Sequence, residues 1–406
     1  MTSEQMQELF ETSDRLVSQV TLGFHRYLYN EIDWRDRLIC IMGARGTGKT
    51  TLMRQRIREA FGTGSEKALY LSLDDFWFSQ YSVKDAVGYL YTHGYTHVFI
   101  DEVHHFGKEW QQLIKNLYDQ FPTMNFVYSG SSMLKLESGK ADLSRRQAVY
   151  RLRGLSFREY LTFERVLDHR VVTLDELVAG HRDLASAVVE KTKILLHFER
   201  YQRIGFYPFY AESHAQYYDR LLATVRKVLE SDYPSVEDVS QETIRTTKKM
   251  LKVLAASTPQ TPNMSELYRE LGTERNQGLK MLNALDRAGL LALVPRKGAK
   301  LGNLSRPERP EKIYCDNTNL MYALVPQVDS GVRRETYFFN QVRKDHDISF
   351  AGVGDFCVDG KYVFEVGGKG KGFGQIKDIP DSYVVNDDTE IGIGNKIPLW
   401  LFGFLY

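Results

Sequence analysis

Gly43-Ala44-Arg45-Gly46-Thr47-Gly48-Lys49-Thr50 is the stretch that decides the fold of this 406-residue chain. It follows the pattern G-x-x-x-x-G-K-[ST], in which glycines allow a tight turn whose backbone N–H groups converge on an anion. The apolar run 38–42 before it predicts a buried strand, and the run 51–61 after it predicts a helix. This context favours a phosphate-binding loop (P-loop) over a glycine-rich turn with a chance lysine.

The residue types in this loop indicate a nucleoside triphosphate with its metal. Lys49 has the reach to contact the β and γ phosphates, and the Thr50 hydroxyl suits Mg²⁺. We therefore expect ATP and Mg²⁺ as cofactors. The predicted nucleotide-binding residues are Gly43, Ala44, Arg45, Gly46, Thr47, Gly48, Lys49, Thr50 and Thr51.

An acidic pair follows another predicted strand, 97–100. This strand lacks polar alternation, as expected of a strand buried on both faces, and it ends in Asp101-Glu102. Downstream of a phosphate-binding loop, Asp101 is the predicted Mg²⁺ ligand and Glu102 the predicted base that activates water. A solvated turn is the alternative. His104 and His105 come next with no third ligand at metal spacing, so we interpret them as loop or helix-start residues.

Two further predicted strands, 68–72 and 125–129, complete this part of the sheet. Ser129 ends the second of them and is a candidate for contact with the γ phosphate or the attacking water. Ser131 and Ser132 are rivals for that role, and helix capping by either is an alternative.

Arg146 precedes a fifth predicted strand, 148–152. An arginine at this place could stabilise charge in the transition state, in a neighbouring subunit if the protein forms rings. A solvated pair with Arg145 is the alternative. With Lys49, Glu102 and Ser129, Arg146 completes the predicted catalytic set.

Composition limits the other functions. Lys+Arg number 53 and Asp+Glu 52, for a net charge of +1, so a nucleic-acid surface would have to be local. Cys40, Cys315 and Cys357 show neither metal nor disulfide spacing. The acidic N-terminal residues do not resemble a secretory signal, and no apolar run approaches the roughly 20 residues that span a bilayer. We expect about two to four domains in a cytoplasmic protein without membrane contact.

The middle of the chain predicts helices and then a winged helix. Residues 155–235 carry apolar positions at helical spacing and predict a helical lid, whereas 236–325 predict three helices and two strands. DNA binding through the third helix and the wing is one interpretation, and a protein-docking or lid module is the other. The polar residues behind the DNA interpretation are Arg275, Asn276, Gln277, Lys280 and Arg287 on the helix and Arg296, Lys297, Lys300 and Arg306 on the wing.

Residues 326–406 predict a small α/β domain with Asp355 on one strand and Glu365 on the next. Two carboxylates and a lysine in this arrangement are the parts of a PD-(D/E)XK nuclease, in which the carboxylates hold a metal. Gly367 stands where the lysine is expected, and Lys369 is the next candidate. Asp355 and Glu365 are thus a possible second metal site. An inactive nuclease site, or a platform that binds DNA phosphates, is favoured over cleavage. The positive charge of such a platform would come from Lys361, Lys369, Lys371 and Lys377.

The order of these motifs resembles that of one family. The P-loop, Asp101-Glu102, the strand end 129–131 and the stretch Leu155-Ser156-Phe157-Arg158-Glu159-Tyr160 are similar to motifs of a family of bacterial AAA+-superfamily ATPases. The resemblance implies the strand order fifth, P-loop, fourth, third, second. It also implies a C-terminal winged helix, a PD-(D/E)XK-like domain of uncertain function, and a homo-oligomer, with a hexameric ring as one form.

We thus expect an α/β protein in four domains. These are an AAA+-like P-loop sheet (1–154), a helical lid (155–235), a winged helix (236–325) and a restriction-endonuclease-like domain (326–406). The leading hypothesis is an ATPase that acts on duplex or branched DNA. An ATP-gated remodeller of a protein partner and an ATP-gated metal-dependent nuclease are the alternatives.

Overall fold

The computed structural model describes residues 1–131, 143, 145–256, 263–295 and 310–406. Ser132 and the wing cations Arg296, Lys297, Lys300 and Arg306 lie outside the described residues. The chain divides into two compact units. The first comprises Met1–Arg153 and Lys227–Val239, and the second comprises Gly154–Arg226 and Ser240–Tyr406.

The first unit is built around a parallel sheet. Its elements up to residue 153 are α1 (Ser3–Ser18), α2 (Tyr27–Glu31), β1 (Leu38–Gly43), α3 (Lys49–Phe61), β2 (Ala68–Ser72), α4 (Val83–Thr92), β3 (His97–Asp101), α5 (Trp110–Gln120), β4 (Asn125–Ser131) and β5 (Ala148–Arg151). The bounds of the five predicted strands are shifted by at most two residues.

The five described strands of this sheet lie in the order β2-β3-β4-β1-β5, and each neighbouring pair is parallel. This is the order that the family resemblance implies, so that prediction is confirmed. The register pairs Ile41 with Ser129 and Ser72 with Asp101. The ends of β1, β3 and β4 therefore meet at the carboxyl edge of the sheet, where parallel α/β folds bind ligands.

Strand β1 lies at the centre of the apolar core. All of Leu38–Gly43 is buried, because residues on both faces of the strand pack against other elements. Leu38, Cys40 and Met42 belong to the same cluster as Ile100 and Tyr128 of the neighbouring strands. The uninterrupted apolar run that predicted this strand reflects that burial.

Between residues 154 and 240 the chain is helical. Its α-helices are α6 (Phe157–Phe163), α7 (Leu174–Val189), α8 (Ile194–Arg200), α9 (Tyr217–Lys227) and α10 (Tyr233–Val236). A π-helical turn, Val228–Asp232, separates α9 from α10. Pro234 in α10 has no backbone N–H, which removes one α-helical hydrogen bond here. The π turn and α10 belong to the first unit.

The stretch Leu155–Tyr160 that contributes to the family resemblance has a structural role in the second unit. Ser156 and Glu159 form a capping box, in which each side chain accepts a hydrogen bond from the backbone N–H of the other. The Ser156 hydroxyl also donates to the carbonyl oxygen of Tyr406 at 2.6 Å. This motif therefore begins α6 and contacts the C-terminal residue.

From Ser240 on, three helices and two antiparallel strands precede a mixed sheet. The elements are α11 (Gln241–Ala256), α12 (Met264–Glu270), α13 (Arg275–Arg287), β6 (Leu291–Val294), β7 (Lys312–Cys315), α14 (Thr318–Leu324), α15 (Ser330–Val342), β8 (Ile348–Phe350), β9 (Phe356–Val358), β10 (Tyr362–Gly367), β11 (Ser382–Asn386) and β12 (Lys396–Pro398). Asn263 caps α12, since its side chain accepts from the N–H of Glu266. Among the described helices, none combines the length and the hydropathy needed to cross a membrane.

The mixed sheet has the order β12-β11-β10-β9-β8 within the described residues. Strands β8, β9 and β10 are antiparallel neighbours, and β11 and β12 continue parallel to β10. Asp355 directly precedes β9, and Glu365 lies on β10. The two carboxylates that were predicted as a second metal site thus lie on β10 and directly before its neighbour β9.

Candidate nucleotide-binding site

The loop between β1 and α3 has the backbone of a phosphate-binding loop. Gly46 and Gly48 have φ values of 85° and 97°, in the left-handed region that favours glycine. Gly48 is the N-cap of α3, so the positive end of the helix dipole lies at the loop. The buried Arg26 donates to the carbonyl oxygens of Thr47 (2.5 Å) and Arg153 (2.8 Å) and stabilises the turn.

Lys49 is the buried cation of the loop. Its Nζ donates to the carbonyl oxygens of Gly43 at 2.9 Å and Ala44 at 3.2 Å. Burial lowers the pKa of Lys49, although the charges of Glu102 and Asp101 oppose this shift. Phosphate oxygens are stronger acceptors than neutral carbonyls, so these hydrogen bonds can be transferred to a bound triphosphate.

Asp101 accepts hydrogen bonds from several elements. Its Oδ2 accepts from the Thr50 hydroxyl at 2.6 Å and the Tyr70 hydroxyl at 2.7 Å. Its Oδ1 accepts from the Ser129 hydroxyl and from the backbone N–H of Glu102 at 3.1 Å. The carboxylate is almost completely buried. Because Mg²⁺ prefers oxygen ligands, the adjacent Thr50 and Asp101 oxygens could hold this ion.

Glu102 adopts a backbone conformation that is uncommon for a residue other than glycine, with φ of 56°. Its N–H also contacts the Ser129 hydroxyl at 3.2 Å, which helps to stabilise this conformation. The Oε2 atom of Glu102 lies 3.1 Å from Nε2 of His104 and 3.5 Å from Nη2 of Arg45. Backbone strain of this kind is often found at functional sites.

Asp232, in the π turn before α10, completes the cluster around Glu102. Its carboxylate accepts from Nη2 of Arg45 at 3.0 Å and from Nε of Arg45 at 3.3 Å, and it lies 3.6 Å from Nε2 of His104. Burial by itself raises the pKa of Asp232, but the hydrogen bonds from His104 and Arg45 outweigh it and hold the pKa below its ordinary value. Asp232 is therefore a charged, buried member of the site.

A group of potential metal ligands also includes Glu102. One ligand atom each of Glu102, His104 and His105 lies within 4.8 Å of the others. The sequence had suggested no third ligand beside the two histidines. The guanidinium of Arg45 is 3.4 Å from Nε2 of His104, and its positive charge opposes a cation at this position. The geometry favours a hydrogen-bonded network here.

A cavity and a close backbone approach adjoin the residues at this edge of the sheet. A cavity of about 320 Å³ adjoins Thr50, Asp101 and Glu102. A Cβ atom at Gly43 would lie 2.3 Å from the carbonyl oxygen of Leu152, so only glycine permits this approach at the start of the loop. The donors of the loop, with Lys49, match the charge of phosphate.

The predicted catalytic residues fall into two groups. Lys49, Glu102 and Ser129 lie together at the carboxyl edge of the sheet. Arg146 precedes β5 and thus lies at the amino edge, with its Nε 3.5 Å from Oδ1 of Asp119. A contact between Arg146 and a nucleotide would therefore have to involve a neighbouring subunit.

Local sequence patterns did not indicate several other residues of the site. Tyr70 was part of an apolar run, and nothing local marked Arg26 as a support for the loop. Asp232 lies far along the chain from Glu102, in a stretch predicted to be part of a lid.

The carboxylates predicted as a second metal site form ion pairs with lysines. Lys371 pairs with Oε1 of Glu365. Lys312 has its Nζ 3.4 Å from Oδ1 of Asp355 and 2.8 Å from Oε2 of Glu335. Burial raises the pKa of Glu335, and the charge of Asp355 adds to this effect. The cluster therefore already contains two cations.

The lysine beside Glu365 is Lys371, whereas the predicted Lys369 is exposed. Glu365 itself is only 3% exposed, and its Oε2 has no hydrogen-bond partner among the described residues. The sequence pattern thus placed Glu365 on the correct strand, put Asp355 on a strand that begins one residue later, and indicated a different lysine.

Helix α13 exposes three of the five polar residues that were predicted to face DNA. These are Arg275, Asn276 and Lys280, near the start of the helix. Gln277 is half-buried and donates to a threonine hydroxyl of α11 at 3.4 Å, and Arg287 is half-buried. Within α13, the exposed polar surface is therefore smaller than the sequence suggested.

Two family models match parts of this chain. One, described as an AAA domain, matches residues 35–161, and the other, Domain of unknown function (DUF8612), matches residues 195–331. No curated protein matches the chain.

Several solved structures are distantly similar. A RuvB variant from Thermotoga maritima is 16% identical, with 73% of this chain and 90% of that chain covered and a TM-score of 0.27. DnaA from Aquifex aeolicus is 14% identical, with 70% and 88% covered and a TM-score of 0.25. A katanin structure is 18% identical, with 50% and 73% covered and a TM-score of 0.25. These TM-scores are low, so the fold assignment rests on the strand order and the loop.

The strand order, the P-loop and the match to an AAA domain agree on the class of protein. The first unit has the fold of an AAA+ P-loop ATPase.

Proposed function

We propose that this protein binds Mg-ATP and hydrolyses it at the carboxyl edge of the first sheet. Lys49 and the N–H groups of the loop bind the phosphates, and Thr50 and Asp101 hold Mg²⁺, which when bound neutralises phosphate charge. Glu102 accepts the proton of the attacking water. The observation that supports this most directly is the 2.6 Å hydrogen bond between Thr50 and Asp101, with Glu102 next to it.

The hydrolysis proposal is tested by the ATPase rate of the purified protein with and without Mg²⁺. We expect turnover only with the metal, and no turnover when Lys49 is replaced. Failure to bind any purine triphosphate would show that the proposal is wrong.

DNA is the substrate that the second unit supports best. Its helices α11, α12 and α13 and the antiparallel pair β6–β7 have the composition of a winged helix, in which the third helix enters the major groove. Arg275, Asn276 and Lys280 are exposed near the start of α13, where such helices contact bases and phosphates.

The DNA proposal is tested by the ATPase rate with a panel of single-stranded, duplex and four-way DNA. We expect stimulation by duplex or branched DNA and salt-sensitive binding. The double variant Arg275→Ala/Lys280→Ala should weaken DNA binding. The slope of the logarithm of the binding constant against the logarithm of the salt concentration should fall by about one for each phosphate contact that is lost. Arg269→Ala is the control, because Arg269 is 80% exposed on the preceding helix. An ATPase rate indifferent to every DNA would contradict the proposal.

A protein partner is the second candidate, and exposed aromatic residues favour it. Phe76 and Phe106 are 75% and 43% exposed and line the same cavity of about 710 Å³ in the first unit. Aromatic side chains are enriched in protein interfaces. If a stable protein co-purifies with the parent chain but not with Phe76→Ser, and DNA leaves the ATPase rate unchanged, this candidate replaces the first.

We expect no nuclease activity from the second unit. Lys312 and Lys371 neutralise the carboxylates that would bind the metal, and a divalent ion would have to displace them. The parent protein should leave duplex and branched DNA intact in Mg²⁺ or Mn²⁺. Cleavage that is lost in Asp355→Ala would instead establish the ATP-gated nuclease.

A further inference from the structure

Two carboxylates lie within reach of the Arg45 guanidinium in the first unit. Nη2 of Arg45 is 3.0 Å from Oδ1 of Asp232 and 3.5 Å from Oε2 of Glu102. Nε of Arg45 also donates to Asp232, at 3.3 Å. A pair of parallel hydrogen bonds to one carboxylate is the stronger arrangement. Arg45 is therefore bound mainly by Asp232, and Glu102 is its second partner.

The burial of this cluster makes the competition between the carboxylates strong. The side chains of Asp232 and His104 are 1% and 2% exposed, and those of Arg45 and Glu102 are 19% and 17% exposed. A buried guanidinium that loses its partner carries a large desolvation cost and pairs with the nearest remaining carboxylate. Without Asp232, that carboxylate is Glu102.

His104 lies between the same two carboxylates. Its Nε2 is 3.1 Å from Oε2 of Glu102 and 3.6 Å from Oδ1 of Asp232. The one hydrogen on Nε2 can be donated to only one of them at a time. Asp232 thus influences both neighbours of Glu102, with Arg45 as the closer contact.

We propose that Asp232 is a positioning residue for ATP hydrolysis: it binds Arg45 and so prevents that guanidinium from occupying the Glu102 carboxylate, which remains available to a water molecule. This inference rests on the proposed role of Glu102 as the base. The AAA-domain match ends at residue 161, so Asp232 comes from the stretch that matches the domain of unknown function. Its location in a π-helical turn supports a role beyond packing, because such turns frequently occur at functional sites.

The first test is the isosteric variant Asp232→Asn. We expect kcat to fall by about tenfold or more, because Arg45 then pairs with Glu102. KM and Kd for Mg-ATP should change by no more than about twofold, since Lys49 and the backbone N–H groups of the loop, which are proposed to bind the phosphates, are not substituted. An unchanged kcat, or a loss of ATP affinity that explains the lower rate, would overturn the inference.

Asp238→Asn is the matched control. Asp238 lies in the same segment of the first unit, its side chain is 92% exposed, and it forms an ion pair with Lys108. Removal of this exposed pair should leave kcat unchanged. A fall in kcat equal to that of Asp232→Asn would mean that the segment acts through its packing, and the inference would be wrong.

The second test is a double-mutant cycle with Arg45→Gln. If Asp232 acts through Arg45, then Asp232→Asn should change kcat by less than about twofold in the Arg45→Gln background. The double variant removes the Arg45 charge together with that of its main partner, so this comparison stands even if Asp232→Asn alone does not fold. A further loss of about tenfold or more in the double variant would overturn the inference.

Failure of this inference is distinguishable from failure of the proposed function. If the parent protein does not hydrolyse ATP, or if Glu102→Gln hydrolyses it normally, the proposed function is wrong. If the parent and Glu102→Gln behave as expected but Asp232→Asn matches the parent, only the role of Asp232 is wrong.

Discussion

Hydrogen bonds among Thr50, Tyr70, Asp101 and Ser129 determine the chemistry of the site at the scale of single residues. Each comes from a different element, and three hydroxyl groups donate to one buried carboxylate. These hydrogen bonds satisfy the carboxylate within the fold and fix the positions of its two oxygens. The proposed Mg²⁺ ligands, Thr50 and Asp101, are therefore already held next to each other.

Lys49→Ala should abolish nucleotide binding. Lys49 is the buried ammonium group within the loop, and its hydrogen bonds to Gly43 and Ala44 are those that phosphate would take over. Titration with a fluorescent ATP analogue measures the effect. Lys84→Ala, at an exposed position on α4, is the control and should bind normally. Normal ATP affinity in Lys49→Ala would show that the loop does not bind the nucleotide.

Glu102→Gln should bind ATP and fail to hydrolyse it. An amide of the same shape keeps the contacts with His104 and Arg45 but cannot accept a proton from water, and loss of a general base costs about 10²–10⁴-fold in kcat. Steady-state kinetics and nucleotide titration separate the two effects. Glu109→Gln, exposed on the same segment after β3, should behave as the parent protein. Normal turnover in Glu102→Gln would show that another group is the base.

At the scale of elements, the close approach of β1 to the chain after β5 determines where the P-loop begins. Gly43 ends β1, and its Cα faces the carbonyl oxygen of Leu152. The N–H of Leu152 in turn donates to the carbonyl oxygen of Met42 at 2.7 Å. The glycine at the start of the motif therefore serves strand packing as well as the phosphate turn.

Gly43→Ala should destabilise the first unit by about 1–3 kcal/mol, because the added Cβ would lie 2.3 Å from a backbone oxygen that cannot move freely. Urea unfolding with the midpoint and slope compared to the parent measures this change. Gly23→Ala is the control, since nothing lies within 4 Å of a Cβ at that position. Equal stability of the two variants would mean that the backbone at Leu152 adjusts without cost.

At the scale of the whole molecule, ATP hydrolysis is proposed for one compact unit and DNA binding for the other. The first unit contains the proposed ATP site, and the chain of that unit includes the segment Lys227–Val239 from much later in the sequence. The second unit contains the three-helix region proposed to bind DNA. Because the chain crosses between the units more than once, neither unit is a simple continuous stretch of sequence.

Arg146→Ala should lower turnover without lowering ATP affinity if subunits assemble. Arg146 lies at the edge of the sheet opposite its own P-loop, so it can act only on the nucleotide of a neighbour. ATPase rates across a range of protein concentrations, with light scattering in ATP, measure this effect. The adjacent Arg145→Ala, at an exposed position, is the control. An unchanged rate in Arg146→Ala would make it a surface residue.

The local pattern of the sequence was enough to predict the five strands of the first sheet, the P-loop and the acidic pair after β3. These features depend on interactions between residues that are close in sequence, namely helical and strand periodicity, capping and the special φ values of glycine. The strand order followed from the family resemblance and not from spacing. The positions of Lys49, Asp101, Glu102 and Ser129 at one edge then follow from a parallel sheet.

Only the tertiary structure decided which distant side chains meet. It joined Asp232 to Arg45, and it paired Lys312 and Lys371 with carboxylates that the sequence pattern assigned to a metal. Contacts of this kind depend on how whole helices and strands pack, and no local periodicity specifies that packing. The physical reason is that a buried charge is stabilised only by a partner that lies close to it in space. The packing of the fold can bring that partner from any position along the chain.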